Sequence, residues 1–120
     1  MRHKHGYNKL HKPTDQRLAM LKSMAVSLFR YSRIETTEAR AKELRKMADG
    51  IITLVKKGDL SSRRRVISML LNDKELVKQI YAGQERFKAR NSGYSRIIQT
   101  GARRGDAAKM VLLELVDAAV

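Results

Sequence analysis

The hydrophobic pattern turns from mainly helical to strand-like late in this chain, and that change restricts the available folds more than any other feature. From Leu18 to Tyr81, apart from a brief stretch at 33–36, apolar residues recur every three or four positions, as they do on one face of an α-helix. After Asn91-Ser92-Gly93, which is turn chemistry, they fall into two short runs over 94–100 and 109–116 that read as β-strands. Helices gathered first and strands last, with no repeated β-α-β unit, imply an α+β fold.

The helical part divides at its caps. Pro13 closes the opening stretch and Thr14 is placed to cap a helix, with Asp15 near the positive end of its dipole. Leu18, Leu21, Ala25, Leu28 and Phe29 then form a core-facing stripe over about 15–31. Arg33-Ile34-Glu35-Thr36 alternates as a brief strand would. A second helix starts at Thr36 or Thr37, carries Ala41, Leu44, Ala48, Ile51 and Val55, and stops at Gly58. Gly50 inside it costs about 1 kcal/mol relative to alanine, which a close packing contact there would explain. Asp59 or Ser61 can cap a third helix through Val66, Ile67, Leu70 and Leu71. Asn72-Asp73-Lys74-Glu75 starts a fourth, carrying Leu76, Val77, Ile80 and Tyr81 and ending at Gly83. No periodicity holds over 85–92. The final run has apolar residues on both faces, so part of it is expected to be buried on both sides. The expected organisation is an arm over 1–13, one α+β domain over 14–116, and a short tail over 117–120.

Charge adds the functional signal. Across 120 residues, Lys and Arg number 26 against 12 acids, a formal net charge of +14. Such a surface repels itself when free and is stabilised by an anionic partner, with RNA or DNA the leading candidates. The excess is uneven. Residues 1–34 carry Arg2, Lys4, Lys9, Lys12, Arg17, Lys22, Arg30 and Arg33 against Asp15 alone. A late segment carries Arg86, Lys88, Arg90, Arg96, Arg103 and Arg104 with no acid. Residues 1–12 also hold almost nothing that can be buried, so alone they are expected to stay extended. Two basic regions, far apart in sequence, suggest contact sites that converge in the fold.

Several classes are disfavoured. There is no cysteine, hence no disulfide frame and no thiolate zinc site. The apolar runs are too short to cross a bilayer, and residues 1–12 lack the apolar region of a secretory signal, so a cytoplasmic protein is expected. Catalysis has no evident centre: the histidines all lie in the arm, and Glu38, Glu43 and Asp49 sit on one helix beside Lys and Arg. Met1-Arg2-His3 has the spacing that lets amine, amides and imidazole surround Cu(II) or Ni(II). Hydrogen bonding or stacking on nucleic acid explains His3, His5 and His11 equally well. No cofactor and no small-molecule substrate is implied.

The candidate nucleic-acid contacts follow from placement. Tyr7 is the single aromatic of the arm, with no neighbouring core to receive it, and stacking on RNA is its favoured role. Arg63, Arg64 and Arg65 begin a helix, where cations oppose the dipole, and fan through about 200°, so they cannot all face one partner. Arg103 and Arg104, between Gly101 and Gly105, are expected at a hairpin tip whose backbone can approach a phosphate. Lys88, Arg90, Tyr94 and Arg96 are expected to feed the same region, with Tyr94 stacking on an unpaired base or filling the core.

Taken in order, several segments resemble a known family. They are Met1-Arg2-His3, Arg17-Leu18-Ala19-Met20-Leu21, Arg33-Ile34-Glu35-Thr36-Thr37, Ala41-Lys42-Glu43-Leu44-Arg45, Lys56-Lys57-Gly58-Asp59-Leu60, and Gly101-Ala102-Arg103-Arg104-Gly105-Asp106-Ala107-Ala108. The set closely resembles the bacterial large-ribosomal-subunit protein L-seventeen family, from Met1 to about Val116. The resemblance implies a structural ribosomal protein bound to large-subunit ribosomal RNA and neighbouring large-subunit proteins near the polypeptide tunnel exit. It also implies helices packed on a small mixed sheet with a C-terminal hairpin and an extended basic N-terminus. Arg2, Lys4, Lys9, Arg103 and Arg104 match basic positions of the family. The full set of expected RNA contacts is Arg2, His3, Lys4, His5, Tyr7, Lys9, His11, Lys12, Arg17, Arg63, Arg64, Arg90, Tyr94, Arg96, Arg103 and Arg104. Two rivals remain at this point: a nucleoid-type DNA-binding regulator, which requires a dimer and a base-reading helix, and a small RNA-processing enzyme, which requires a pocket with a perturbed acid or histidine.

Overall fold

The structure, a computed structural model, describes Leu10, residues 12–88, Arg90 and residues 93–116. The expected arm contacts up to Lys9, with His11, and the tail over 117–120 lie outside the described residues.

α1 spans Thr14–Tyr31 and buries Leu21, Ala25, Leu28 and Phe29, the expected stripe, but leaves Leu18 exposed. Pro13, not Thr14, occupies the N-cap, with no side-chain capping bond. Proline's fixed φ suits that entry, and Asp15 still lies in the first turn, its Oδ1 accepting from the Gln16 N–H at 2.9 Å. β1, Arg33–Thr37, leads directly into α2, Glu38–Lys57. Ala41, Leu44, Ala48, Ile51, Ile52, Leu54 and Val55 of α2 are all buried, which makes this helix the axis around which the domain packs. Gly58 ends it in the left-handed region at φ 72°, as its C-terminal position requires. Gly50 does not serve packing: it is exposed, and nothing lies within 4 Å of where a Cβ would stand.

Two aspartates start the next helices. Asp59 caps α3, Leu60–Met69, by accepting from the Ser62 N–H at 2.8 Å. Asp73 caps α4, Lys74–Ala82, by accepting from the Leu76 N–H at 3.1 Å. Leu70 is buried between them while Leu71, expected in the same stripe, turns outward. The reason is local: Leu71 and Asn72 adopt φ 56° and 60°, which ends the helical periodicity after Leu70. A one-turn helix, α5 at Glu85–Lys88, occupies the stretch that shows no periodicity. Four residues are too few to reveal a period, yet the turn carries Phe87 into the core at 1% exposure.

β2, Ser95–Ala102, and β3, Lys109–Leu115, form the expected hairpin. The sheet order is β1-β3-β2, with both pairings antiparallel. The sheet is therefore not mixed. β3 enters last, as the return strand of a hairpin, and runs between β1 and β2 opposite in direction to both. Val111, Leu113 and Leu115 point inward and are buried, whereas Met110, Leu112 and Glu114 are only half-buried on the outer face. Burial of the last strand is thus essentially one-sided, because α1 and α2 cover only the inner face. A register shift between Gln99 and Gly101, with Gly101 at φ 127°, bends β2 just before the tip.

Candidate nucleic-acid interface

The connection between α5 and β2 sets the root of the hairpin. Lys56, in the last turn of α2, donates to the Tyr94 hydroxyl at 2.8 Å and also to the Arg90 carbonyl. The Tyr94 hydroxyl donates in turn to the Arg90 carbonyl at 3.2 Å. The Tyr94 ring meets Phe87 edge to face, 6.1 Å between centroids at 85°. At 3% exposure Tyr94 is a core residue and presents no face to a base. Of the two roles open to it in the sequence, the core role is the one it fills.

From this root the hairpin runs outward. At about 3.3 Å per residue, the path from Tyr94 to Arg103 covers roughly 30 Å, so Arg90 and Tyr94 sit at the base and Arg103 and Arg104 at the tip. The late basic segment is therefore spread along a ribbon and does not gather into one cluster. Lys88 stays at the root, paired with Glu85 at 2.9 Å. Arg96 lies on the outer face of the sheet opposite Glu114 of β3, and the two form a cross-strand ion pair.

The tip separates its two arginines. Arg103 holds Asp106 through two bonds, Nε to Oδ1 at 3.1 Å and Nη2 to Oδ2 at 2.5 Å. Asp106 also accepts from the Ala108 N–H at 3.2 Å, and the Arg103 N–H donates to the Ala108 carbonyl at 2.8 Å. These bonds close residues 103–108 into a braced loop. The Arg103 guanidinium and the Ala108 amide hold the Asp106 carboxyl down at about 2, and the same contact raises the affinity of Arg103 for its proton. Arg104 is exposed and has no ion pair among the described residues. Arg103 thus shapes the loop and Arg104 is the charge it displays.

The remaining expected contacts divide in the same way. Arg17 lies on the inner stripe of α1 at 8% exposure, in register with Leu21, Ala25 and Leu28, and is not a displayed cation. Lys12, at the root of the arm, is half-buried beside Leu10, which packs against the core. Arg63 lies with its guanidinium 4.7 Å from the centre of the Tyr81 ring. Arg64 and Arg65 are exposed. Each cation is legible in the sequence, but most of the anionic partners are not. The three-residue spacing of Arg103 and Asp106 was a visible signal for one pair. The Arg96–Glu114 pair depends on strand register and carried none.

Among the described residues, no group of three or more His, Cys, Asp or Glu is placed to hold a metal ion, and no helix is long and apolar enough to cross a membrane. What the body presents is an α+β core with cations on α3, α4 and the hairpin tip that have no ion pair among the described residues.

The sequence matches a known family. The family model for ribosomal protein L17 matches residues 20–116. The chain is 50% identical over 112 residues to the large ribosomal subunit protein bL17 of Caldanaerobacter subterraneus subsp. tengcongensis, covering 92% of this chain and 99% of that protein. It is also 50% identical over 118 residues to the bL17 of Magnetococcus marinus, covering 98% and 94%, and 47% identical over 112 residues to that of Clostridium perfringens, covering 92% and 98%. On the matched span and on this identity, the chain belongs to the ribosomal protein L17 family.

Proposed function

We propose that this protein is a structural constituent of the large ribosomal subunit that binds and clamps large-subunit ribosomal RNA near the polypeptide tunnel exit, beside neighbouring large-subunit proteins. Membership of a family of ribosomal proteins supports the structural role over an enzymatic one. The observation that carries the RNA reading is the pairing of a +14 chain with cations, such as Arg64 and Arg104, that the folded body leaves unpaired among its described residues. A fold that satisfies Arg96 and Arg103 internally yet displays these others is organised to meet phosphates. The arm over 1–13 extends that contact, and the location near the tunnel exit rests on the resemblance of the ordered motifs.

Phosphate contacts dominate such binding, so salt is the diagnostic variable. If 6–8 phosphates are engaged, affinity for a large-subunit RNA transcript falls about 10³- to 10⁴-fold between 50 and 200 mM salt. Filter binding across that range, with co-sedimentation on large subunits isolated at low salt, tests the proposal. Flat salt dependence, or absence of the protein from subunits isolated at low salt, contradicts it.

A further inference from the structure

A groove lies between α3 and α4. It is an open depression of about 450 Å³ with Ile67 and Val77 in its lining. Arg63 on one wall and Lys74 and Lys78 on the other supply positive charge, against Glu75 alone. Lys74 and Lys78 are four residues apart on α4, so they project from the same face. None of the three cations is in an ion pair among the described residues. The stack of Arg63 on the Tyr81 ring fixes that guanidinium at the groove instead of leaving it to sweep through solvent.

Leaving these charges uncompensated has a cost. Like charges four residues apart on a helix destabilise it. Arg63, Arg64 and Arg65 near the start of α3 also face the positive end of its dipole. Glu75, the one carboxylate in the groove, is paired with neither lysine. Three cations around one concavity, none of them in an ion pair among the described residues, are complementary to a run of phosphates.

We propose that the α3–α4 groove is a second RNA-backbone site, with Lys74 and Lys78 contacting successive phosphates and Arg63 held against them by Tyr81. The proposal rests on the RNA-binding reading and adds to it a defined surface on the folded body. Its test uses the full chain and a transcript of bacterial large-subunit ribosomal RNA as probe, with filter binding from 50 to 200 mM KCl. The Lys74→Gln/Lys78→Gln variant is compared with wild type and with Arg40→Gln/Arg45→Gln, which removes two exposed cations from α2. Both lysines are exposed, so the groove variant should melt no lower than wild type.

Loss of two phosphate contacts lowers the slope of log K against log salt by about 1.4–1.8 and weakens binding about 10- to 30-fold near physiological salt. The α2 variant should move the slope by less than half as much. Equal slopes and affinities for wild type and the groove variant would overturn the groove assignment while leaving the RNA reading intact. Failure of wild type itself to bind with a steep salt dependence would overturn the RNA reading. A groove variant that keeps its RNA affinity but loses a neighbouring protein in reconstituted subunits would make the groove a protein interface and overturn the assignment.

Discussion

Asp73 uses its two carboxylate oxygens for different tasks, and separating them tests the packing account closely. Oδ1 caps α4 by accepting from the Leu76 N–H, while Oδ2 takes Nη2 of Arg30 at 2.5 Å from the last turn of α1. One side chain therefore starts one helix and ties it to the end of another. Losing an N-cap costs about 1 kcal/mol. The ion pair is worth about 0.5 kcal/mol, because the Arg30 side chain is 49% exposed and solvent screens it. Asp73→Ala should then cost about 1.5 kcal/mol, and Asp73→Asn, which keeps a capping oxygen, about 0.5 kcal/mol. Arg30→Gln should cost about 0.5 kcal/mol in the wild-type background and close to nothing beside Asp73→Asn. Urea denaturation of the four variants, with unchanged m values, measures each term. If Asp73→Asn is as damaging as Asp73→Ala, or Arg30→Gln costs the same in both backgrounds, the division of labour is wrong.

Three further outcomes follow from single positions. Gly50→Ala fills an exposed helical site with nothing within 4 Å of the new methyl group, so it should stabilise by about 0.5–1 kcal/mol in a thermal melt. Tyr94→Phe removes one hydroxyl bonded to Lys56 and the Arg90 carbonyl, and should cost about 1 kcal/mol in urea with no change in RNA affinity, since the ring stays in the core. The Asp106 carboxyl is depressed from 3.8 to about 2, so its stabilising pair with Arg103 is complete above about pH 4 and is lost only as pH falls toward 2. Carboxyl carbon NMR should show that low midpoint, and Arg103→Gln should move it back toward 3.8.

The sequence carried the long helices well because burial imposes a period on them. Ala41, Leu44, Ala48, Ile51 and Val55 all sit where their spacing places them, and Gly58 stops the helix as expected. The β2–β3 hairpin was legible from its alternation and its glycines. Errors arose where a residue's fate depends on what lies across from it. Leu18 and Leu71 continue a helical stripe in sequence but are exposed, Leu71 because its positive φ ends the helical period after Leu70. Phe87 needed only one turn of helix to reach the core, and one turn has no period to read. The basic residues were read by sign alone, yet their roles depend on partners. Arg103 turns inward to Asp106, Arg96 pairs with Glu114 across the strands, and Arg104 faces outward. Lys74 figured in the sequence only as part of a helix start and Lys78 not at all, because their significance comes from Arg63 on the neighbouring helix.

In the assembled particle, cations that have no ion pair among the described residues, Arg104 first among them, should lie against large-subunit RNA. The chain has no cysteine, so Arg104→Cys provides a unique attachment point for a tethered iron chelate. Hydroxyl radicals generated from that position in reconstituted large subunits should cut a small set of neighbouring ribosomal RNA nucleotides. An uncut RNA, from a variant shown to be incorporated in the particle, would mean that the hairpin tip points into solvent and that the clamp does not exist.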